Sequence, residues 1–160
     1  MPLEFKVAAL SVICIPAIFY LLILFIRWVR RRCYLNSDIG RIDMMSGAEF
    51  EEYLYKKLIS FGVNVQKTPL TKDFGADLII TLEDGFKIAV QAKRYEEKVG
   101  LSAVQEVVAS LAYYDCDRGL VITNSEYTDN TRILADVNKV ILWDRDDLIR
   151  IFIDGIWQGV

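Results

Sequence analysis

The hydrophobic pattern of the chain begins with a long apolar run. From Val7 to Ile26, 20 consecutive residues carry no charge, and the run has no polar face at helical spacing. A helix of about 20 apolar residues crosses the roughly 30 Å hydrocarbon layer of a bilayer. Pro16 lies inside the run, but proline is tolerated in membrane helices. The pattern therefore predicts one transmembrane helix, within an N-terminal anchor over residues 1–32.

The charges that flank this run predict its orientation. Arg27 and the arginines at 30–32 follow the run, whereas Lys6 alone precedes it. By the positive-inside rule, the N-terminus lies outside and the rest of the chain faces the cytoplasm from the inner membrane of the cell. A cleaved signal peptide would carry its basic residues before the apolar run, and a buried core helix would need a polar face. Both alternatives fit the sequence less well.

After a polar linker over 33–45, the pattern alternates between helical and extended spacing. Ser46 and Glu49 form a capping-box pattern, and apolar residues then recur at helical spacing as far as Gly62. The pattern next predicts strands at 63–68, 76–82 and 86–93, a helix at 102–114, a strand at 118–123, a helix at 128–137, a strand at 140–143 and a helix at 146–152. This order predicts an α/β domain over 46–160, with a mixed central sheet flanked by helices.

Side-chain parity predicts the register of the central hairpin. A three-residue loop that ends at Gly85 gives a bulged turn whose last residue is left-handed. This loop pairs Leu78 with Val90 and leaves one face of the hairpin wholly apolar. The same register places Asp77 directly opposite Gln91 on the other face.

Composition excludes several kinds of chemistry. The chain has no histidine, which excludes histidine-based catalytic triads and histidine-ligated zinc. Its three cysteines, Cys14, Cys33 and Cys116, are widely spaced and form no CxxC pair, so a disulfide framework is not indicated. From residue 40 onward, 14 basic residues stand against 20 acidic ones, a net charge of −6. Contact with nucleic acid is therefore expected to be local or metal-assisted.

Four residues supply chemistry that needs no histidine. Asp77, Gln91 and Lys93 share one face of the predicted hairpin, and Glu51 lies one turn into the first helix of the domain. A divalent cation bound by oxygen ligands can lower the pKa of a bound water and offset charge on a phosphodiester. A lysine beside the cation can orient the attacking water or stabilise the developing charge.

The order and spacing of five segments are typical of one nuclease family. The segments are Gly47–Glu51 at a helix start, Asp73–Asp77 entering a strand, Gln91–Lys93 on the next strand, Val104–Glu106 in the following helix, and Gly119–Asn124. Over residues 46–150 the chain resembles the Mrr-type restriction endonuclease domain of the PD-(D/E)XK superfamily. The resemblance implies a restriction-endonuclease-like fold and metal-dependent hydrolysis of DNA, with Mg²⁺ or Mn²⁺ as cofactor.

The resemblance also implies roles for the four residues. Asp77 is the principal metal ligand, Lys93 the catalytic lysine and Glu51 the carboxylate supplied by the helix. Gln91 stands where the superfamily pattern usually has Asp or Glu, although Mrr-like proteins often have glutamine there. This glutamine removes one negative charge from the predicted metal site, which weakens metal binding.

Three other polar residues have simpler structural explanations. Glu49 is the capping partner of Ser46. Asp73 precedes a glycine in a predicted turn, a common place for Asp. Gln105 follows Ser102 in a first helical turn and could close a weak capping box.

These observations favour a membrane-anchored, Mg²⁺-dependent DNA endonuclease of the restriction or defence type. Cutting both strands of DNA commonly needs two sites, so a homodimer is compatible with this function. The first alternative is a nuclease-like module that binds DNA or protein at the membrane without cutting. The second is a structural membrane protein with a cytoplasmic assembly domain.

Overall fold

The computed structural model describes residues 19–26, 38–69 and 74–155, and the chain divides into two compact units, Met1–Gly40 and Arg41–Val160. In the first unit, residues 19–26 are helical and their side chains are exposed. Most of the transmembrane helix predicted over 7–26 lies outside the described residues. Within the described ranges, no helix is both long enough and apolar enough to span a bilayer.

From residue 38 onward, the described chain alternates between helices and strands much as the sequence predicts. The elements are α1 (Asp38–Ile42), α2 (Gly47–Ser60), β1 (Asn64–Lys67), β2 (Leu78–Thr81), β3 (Lys87–Lys93), α3 (Ser102–Tyr114), β4 (Arg118–Thr123), α4 (Asp129–Val137), β5 (Ile141–Trp143), α5 (Arg145–Leu148) and a π-helical turn (Ile149–Ile153).

The strands form one mixed sheet whose spatial order follows the sequence, β1-β2-β3-β4-β5. The first two pairings are antiparallel, and those of β3 with β4 and β4 with β5 are parallel. Helix α3 connects β3 to β4 and α4 connects β4 to β5, because parallel neighbours need a crossover. The predicted mixed sheet with flanking helices is confirmed.

The hairpin of β2 and β3 has the predicted register. Leu78 pairs with Val90, and all the paired residues of the two strands keep that offset. The backbone N–H of Leu82 donates to the carbonyl of Phe86 at 2.8 Å and closes the three-residue loop. Gly85 ends the loop with a φ of +87°, a conformation that glycine adopts without a steric penalty.

Helix α2 begins at the predicted capping box. The backbone N–H of Ser46 donates to Glu49 at 2.8 Å, and the N–H of Glu49 donates back to the Ser46 hydroxyl at 3.3 Å. Phe50, Leu54 and Leu58 lie on one face of the helix and are fully buried. This apolar face holds α2 against the sheet, where α2 contacts both β1 and β3.

Two segments differ from the sequence prediction. Helix α1 forms within 33–45, which was predicted as a polar linker, and Ile42 at its end is buried in the core. The helix predicted over 146–152 is instead α5 followed by the π-helical turn. The adjacent residues Ile151 and Phe152 are both buried there, a pattern that regular helical periodicity does not predict.

A polar cluster that we term the Asp43 clasp joins four segments of the chain. Arg145 donates to both carboxylate oxygens of Asp43 at 2.8 Å, and the Asn124 side chain donates to one of them at 2.7 Å. The guanidinium of Arg94 donates to the backbone carbonyl of Asp43. Arg94 and Asn124 directly follow β3 and β4. The clasp therefore ties the start of the second unit to the carboxyl ends of the central strands.

Candidate active site

The hairpin places Asp77 in direct contact with Gln91. The backbone N–H of Asp77 donates to the carbonyl of Val90 at 2.8 Å, which continues the ladder by one residue. One carboxylate oxygen of Asp77, Oδ2, accepts hydrogen bonds from Gln91 Nε2 at 2.7 Å and from the backbone N–H of Ala92 at 2.6 Å. Two donors on β3 thus fix the orientation of this carboxylate.

Gln91 contributes a buried acceptor as well as a donor. Its side chain is only 5% exposed, and Oε1 finds no hydrogen-bond partner among the described residues. A buried carbonyl oxygen without a partner costs about 1–3 kcal/mol. Such an atom is suited to accept from a water or to bind a cation.

Lys93 lies on the same strand and is held by a carboxylate from α3. Its Nζ is 2.5 Å from Glu106 Oε2, and the lysine side chain is mostly buried. Glu106 ends one of the five segments that carry the family resemblance, but the sequence analysis assigned it no role in the site. The helical phase could have identified it, because Glu106 is three residues after Ala103 and four before Ser110, both of which are buried.

Glu51, on α2, lies beside Asp77. A pocket of about 200 Å³ has Glu51 and Asp77 in its wall, together with Lys67. Glu51 and Asp77 therefore line one pocket, and Asp77 accepts a hydrogen bond from Gln91. Lys93 is joined to Glu106, a residue on the helix that follows β3.

The residues given simpler explanations lie elsewhere or outside the described chain. The hydrogen bond from the Ser46 backbone N–H, with a second from its hydroxyl, holds the pKa of Glu49 below its ordinary value. Glu49 is thus engaged in the helix cap. Gln105 is exposed on α3, whose N-cap residue Leu101 makes no side-chain cap. Asp73 lies outside the described residues.

The donor set determines which kind of ion the site could hold. Within the part of the chain that the structure describes, no group of three or more His, Cys, Asp or Glu side chains is placed to bind a metal. Glu51 and Asp77, which line one pocket, nevertheless offer the carboxylate oxygens that Mg²⁺ prefers, and Gln91, whose Nε2 donates to Asp77, carries a further buried oxygen outside the residues that line this pocket. Because Mg²⁺ usually keeps several waters, these residues fit an ion that is only partly coordinated by protein.

Comparison with known families finds a match over most of the second unit. The restriction endonuclease family Mrr_cat matches residues 42–152. The matched range exceeds half of the chain and includes all four predicted site residues as well as Glu106.

Among curated proteins, the chain is similar to the type IV methyl-directed restriction enzyme EcoKMrr of Escherichia coli strain K12. The two are 34% identical over 95 residues. The alignment covers 58% of this chain and 31% of that enzyme, so the chain matches less than a third of its relative's length.

Two solved structures have a similar fold. The protein of unknown function AF1548 aligns with a TM-score of 0.52 at 12% identity, over 69% of this chain and 70% of that one, and this likeness concerns the fold alone. The ATP-dependent type ISP restriction-modification enzyme LlaBIII, solved bound to DNA, aligns with a TM-score of 0.50 at 27% identity. That alignment covers 62% of this chain and 7% of LlaBIII.

Proposed function

The chain belongs to the Mrr_cat family of restriction endonucleases, and on this premise we propose that it is a metal-dependent DNA endonuclease of the restriction or defence type. The observation that carries the proposal is the contact between Asp77 and Gln91 across the hairpin, with Lys93 two residues further along the same strand. The hydrogen bond across the hairpin joins Asp77 to Gln91, and Lys93 is the last residue of the same strand.

In this proposal the metal is Mg²⁺, with Mn²⁺ as a substitute. Asp77, Glu51 and Oε1 of Gln91 would hold it. When bound, the ion would activate a water and offset charge on the scissile phosphate. Asp77 is already oriented by its two hydrogen bonds, so little of its side-chain entropy remains to be lost on binding.

Lys93 supplies a positive charge at this end of β3. Its contact with Glu106 fixes the position of the ammonium group, because both carriers, β3 and α3, are packed regular elements. A phosphate oxygen that gains charge in the transition state would compete with Glu106 for this ammonium group. Lys93 is therefore the catalytic lysine of the proposal, and Glu106 positions it.

The test is cleavage of supercoiled plasmid by the full chain in detergent, with Mg²⁺, Mn²⁺ or EDTA, on methylated and unmethylated DNA. We expect metal-dependent nicking that falls at least about a hundredfold in Asp77→Asn and in Lys93→Ala, because each variant removes a charge from the reacting centre.

Lys98→Ala is the matched control. Lys98 is an exposed lysine that pairs with Glu126 and does not line the pocket of Glu51 and Asp77, and this variant should cut normally. Cleavage by Asp77→Asn at the wild-type rate, from protein free of other nucleases, would disprove the site assignment.

A DNA-binding module that does not cut is the second candidate function. The observation that favours it is Gln91 in place of a carboxylate, on a domain with a net charge of −6 from residue 40 onward. This function predicts that DNA binding is the same in EDTA and in Mg²⁺. Metal-dependent nicking lost in both site variants would exclude it.

We also propose that the N-terminus anchors the domain at the cytoplasmic face of the inner membrane. The support is the 20-residue uncharged run followed by four arginines within six residues. A homodimer would provide the two sites needed to cut both strands. Sedimentation of the full chain in detergent, with and without DNA, would measure the number of subunits.

A further inference from the structure

Two aromatic side chains lie stacked and exposed near the candidate active site. The rings of Phe74 and Tyr113 have centroids 4.0 Å apart and an interplanar angle of 27°. Phe74 is 46% exposed and Tyr113 is 62% exposed. Tyr114 contacts Tyr113 edge-to-face at 4.9 Å. We refer to Phe74 and Tyr113 as the aromatic stack.

The backbone at Phe74 adopts a conformation that such a residue rarely has. Its φ is +49°, in the left-handed region, where the Cβ of a bulky residue is crowded by the backbone. This strain costs free energy, and the ring is placed against Tyr113 rather than in the core. Strained residues of this kind concentrate at functional sites and ligand clamps.

The aromatic stack is connected to the candidate active site through both the chain and the packing. Phe74 is three residues before Asp77. Gly75 lies so close to the backbone of Glu106 that a Cβ would overlap it. Tyr113 is seven residues after Glu106 on α3, about 10 Å along the helix. At about 3.4 Å per nucleotide along one strand, this is the span of about three nucleotides.

The charge around the stack favours a ligand that is recognised by its flat face. Asp115 and Asp117 follow the stack, and the exposed carboxylate of Asp115 lies 3.5 Å from the ammonium group of Lys87. The two carboxylates outnumber the one lysine that pairs with Asp115, so ion pairing with phosphates is a poor means of holding DNA here. Stacking of a base on an aromatic ring does not need a positive charge and tolerates any base.

We propose that the aromatic stack binds one unpaired base of the DNA substrate, about three nucleotides from the scissile phosphate. The proposal rests on the proposed function, which it refines by naming the substrate class as DNA with a locally unpaired or extruded base. A base in an intact duplex is already stacked on its neighbours, whereas a base in a gap can stack on the exposed face of this aromatic pair.

The experiment compares two DNA probes bound to the full chain in detergent, with Ca²⁺ or EDTA present to prevent cutting. One probe is an intact duplex, and the other has a three-nucleotide single-stranded gap that contains 2-aminopurine. We expect tighter binding of the gapped probe, with quenching of its fluorescence. Phe74→Leu and Tyr113→Leu should each weaken gapped binding about tenfold and change duplex binding less than twofold.

Two further variants separate stacking from folding. Tyr113→Phe keeps the ring and should bind like the wild type. Ile133→Ala removes an apolar side chain that is as exposed as Tyr113 but lies on α4, and it should also bind like the wild type. Because Tyr113 is largely exposed, Tyr113→Leu should melt normally even if Phe74→Leu does not.

The outcomes separate this proposal from the nuclease assignment. A preference for gapped DNA that is lost only in the two leucine variants supports the aromatic stack, whether or not the chain cuts plasmid. Equal binding of both probes, or a preference that both leucine variants keep, overturns it. Cleavage of plasmid without any gap preference would leave the nuclease assignment intact and reject the aromatic stack alone.

Discussion

Gln91 has two polar atoms with different surroundings. Nε2 donates to the Asp77 carboxylate, whereas the buried Oε1 has no partner among the described residues. Changing only the charge at this position therefore tests whether it faces a cation. A carboxylate at position 91 would repel the carboxylate of Asp77, and the uncharged amide of Gln91 avoids this repulsion.

We expect Gln91→Glu to weaken the fold without metal and to strengthen metal binding. In EDTA the new carboxylate faces Asp77 and the donated hydrogen bond is lost, at a cost of about 2 kcal/mol in the free energy of unfolding. Millimolar Mg²⁺ should raise the melting temperature of the variant more than that of the wild type, because it binds the folded state. Thermal melts and calorimetry would measure both effects.

Gln105→Glu is the matched control, because it makes the same chemical change at an exposed position of α3. It should alter neither the melting temperature in EDTA nor the response to Mg²⁺. An identical response of the two variants would mean that position 91 does not contact the ion.

At the scale of single elements, the start of α2 determines where Glu51 is presented. The capping box satisfies two backbone N–H groups at that end of the helix, those of Ser46 and Glu49. The reciprocal contact also favours the ionised form of Glu49, which lowers its pKa. The contribution of Glu49 to stability is therefore present above its ordinary pKa of 4.5 and is lost as the pH falls through the lowered value.

Ser46→Ala should reduce the free energy of unfolding by about 1 kcal/mol at neutral pH. Its cost should become smaller at acidic pH below the lowered pKa of Glu49, where the carboxyl is protonated in both folded and unfolded protein. Urea unfolding at the two pH values would measure this difference. Ser102→Ala is the control, because α3 begins without a side-chain cap and should lose little. A cost that is the same at both pH values would contradict the reciprocal cap.

The elements that could be predicted from sequence are those specified by short-range patterns. Helix α3 was predicted at 102–114 and spans Ser102–Tyr114, and the hairpin register followed from the position of Gly85 and the alternation of side chains. Helix α1 could not be predicted because one turn has almost no periodicity, and it is stabilised by the burial of Ile42.

In the candidate site, too, contacts that follow from local rules could be predicted, and contacts that depend on packing between elements could not. Asp77 and Gln91 were predicted to meet because strand pairing is a local rule, and their contact is observed. The partner of Lys93 could not be assigned in the same way, since it depends on how α3 packs over the sheet. The catalytic and metal-binding roles of these residues remain predictions that the plasmid assay tests.

At the scale of the whole molecule, the sequence joins an apolar, basic N-terminus to an acidic domain. The full chain should therefore sediment with membranes and resist extraction at alkaline pH, and a C-terminal fluorescent fusion should be fluorescent in the cytoplasm. A variant that lacks residues 7–26 should move to the soluble fraction. Release of the full chain by alkaline extraction would contradict the proposed anchor.

The Asp43 clasp gives this architecture a mechanical consequence. A pull on the N-terminal segment would reach the second unit close to Asp43, where side chains bond it to Asn124 and Arg145. These bonds would share the load among segments more than 80 residues apart in sequence. Under such a pull, the clasp would oppose the separation of α2 and Glu51 from the sheet.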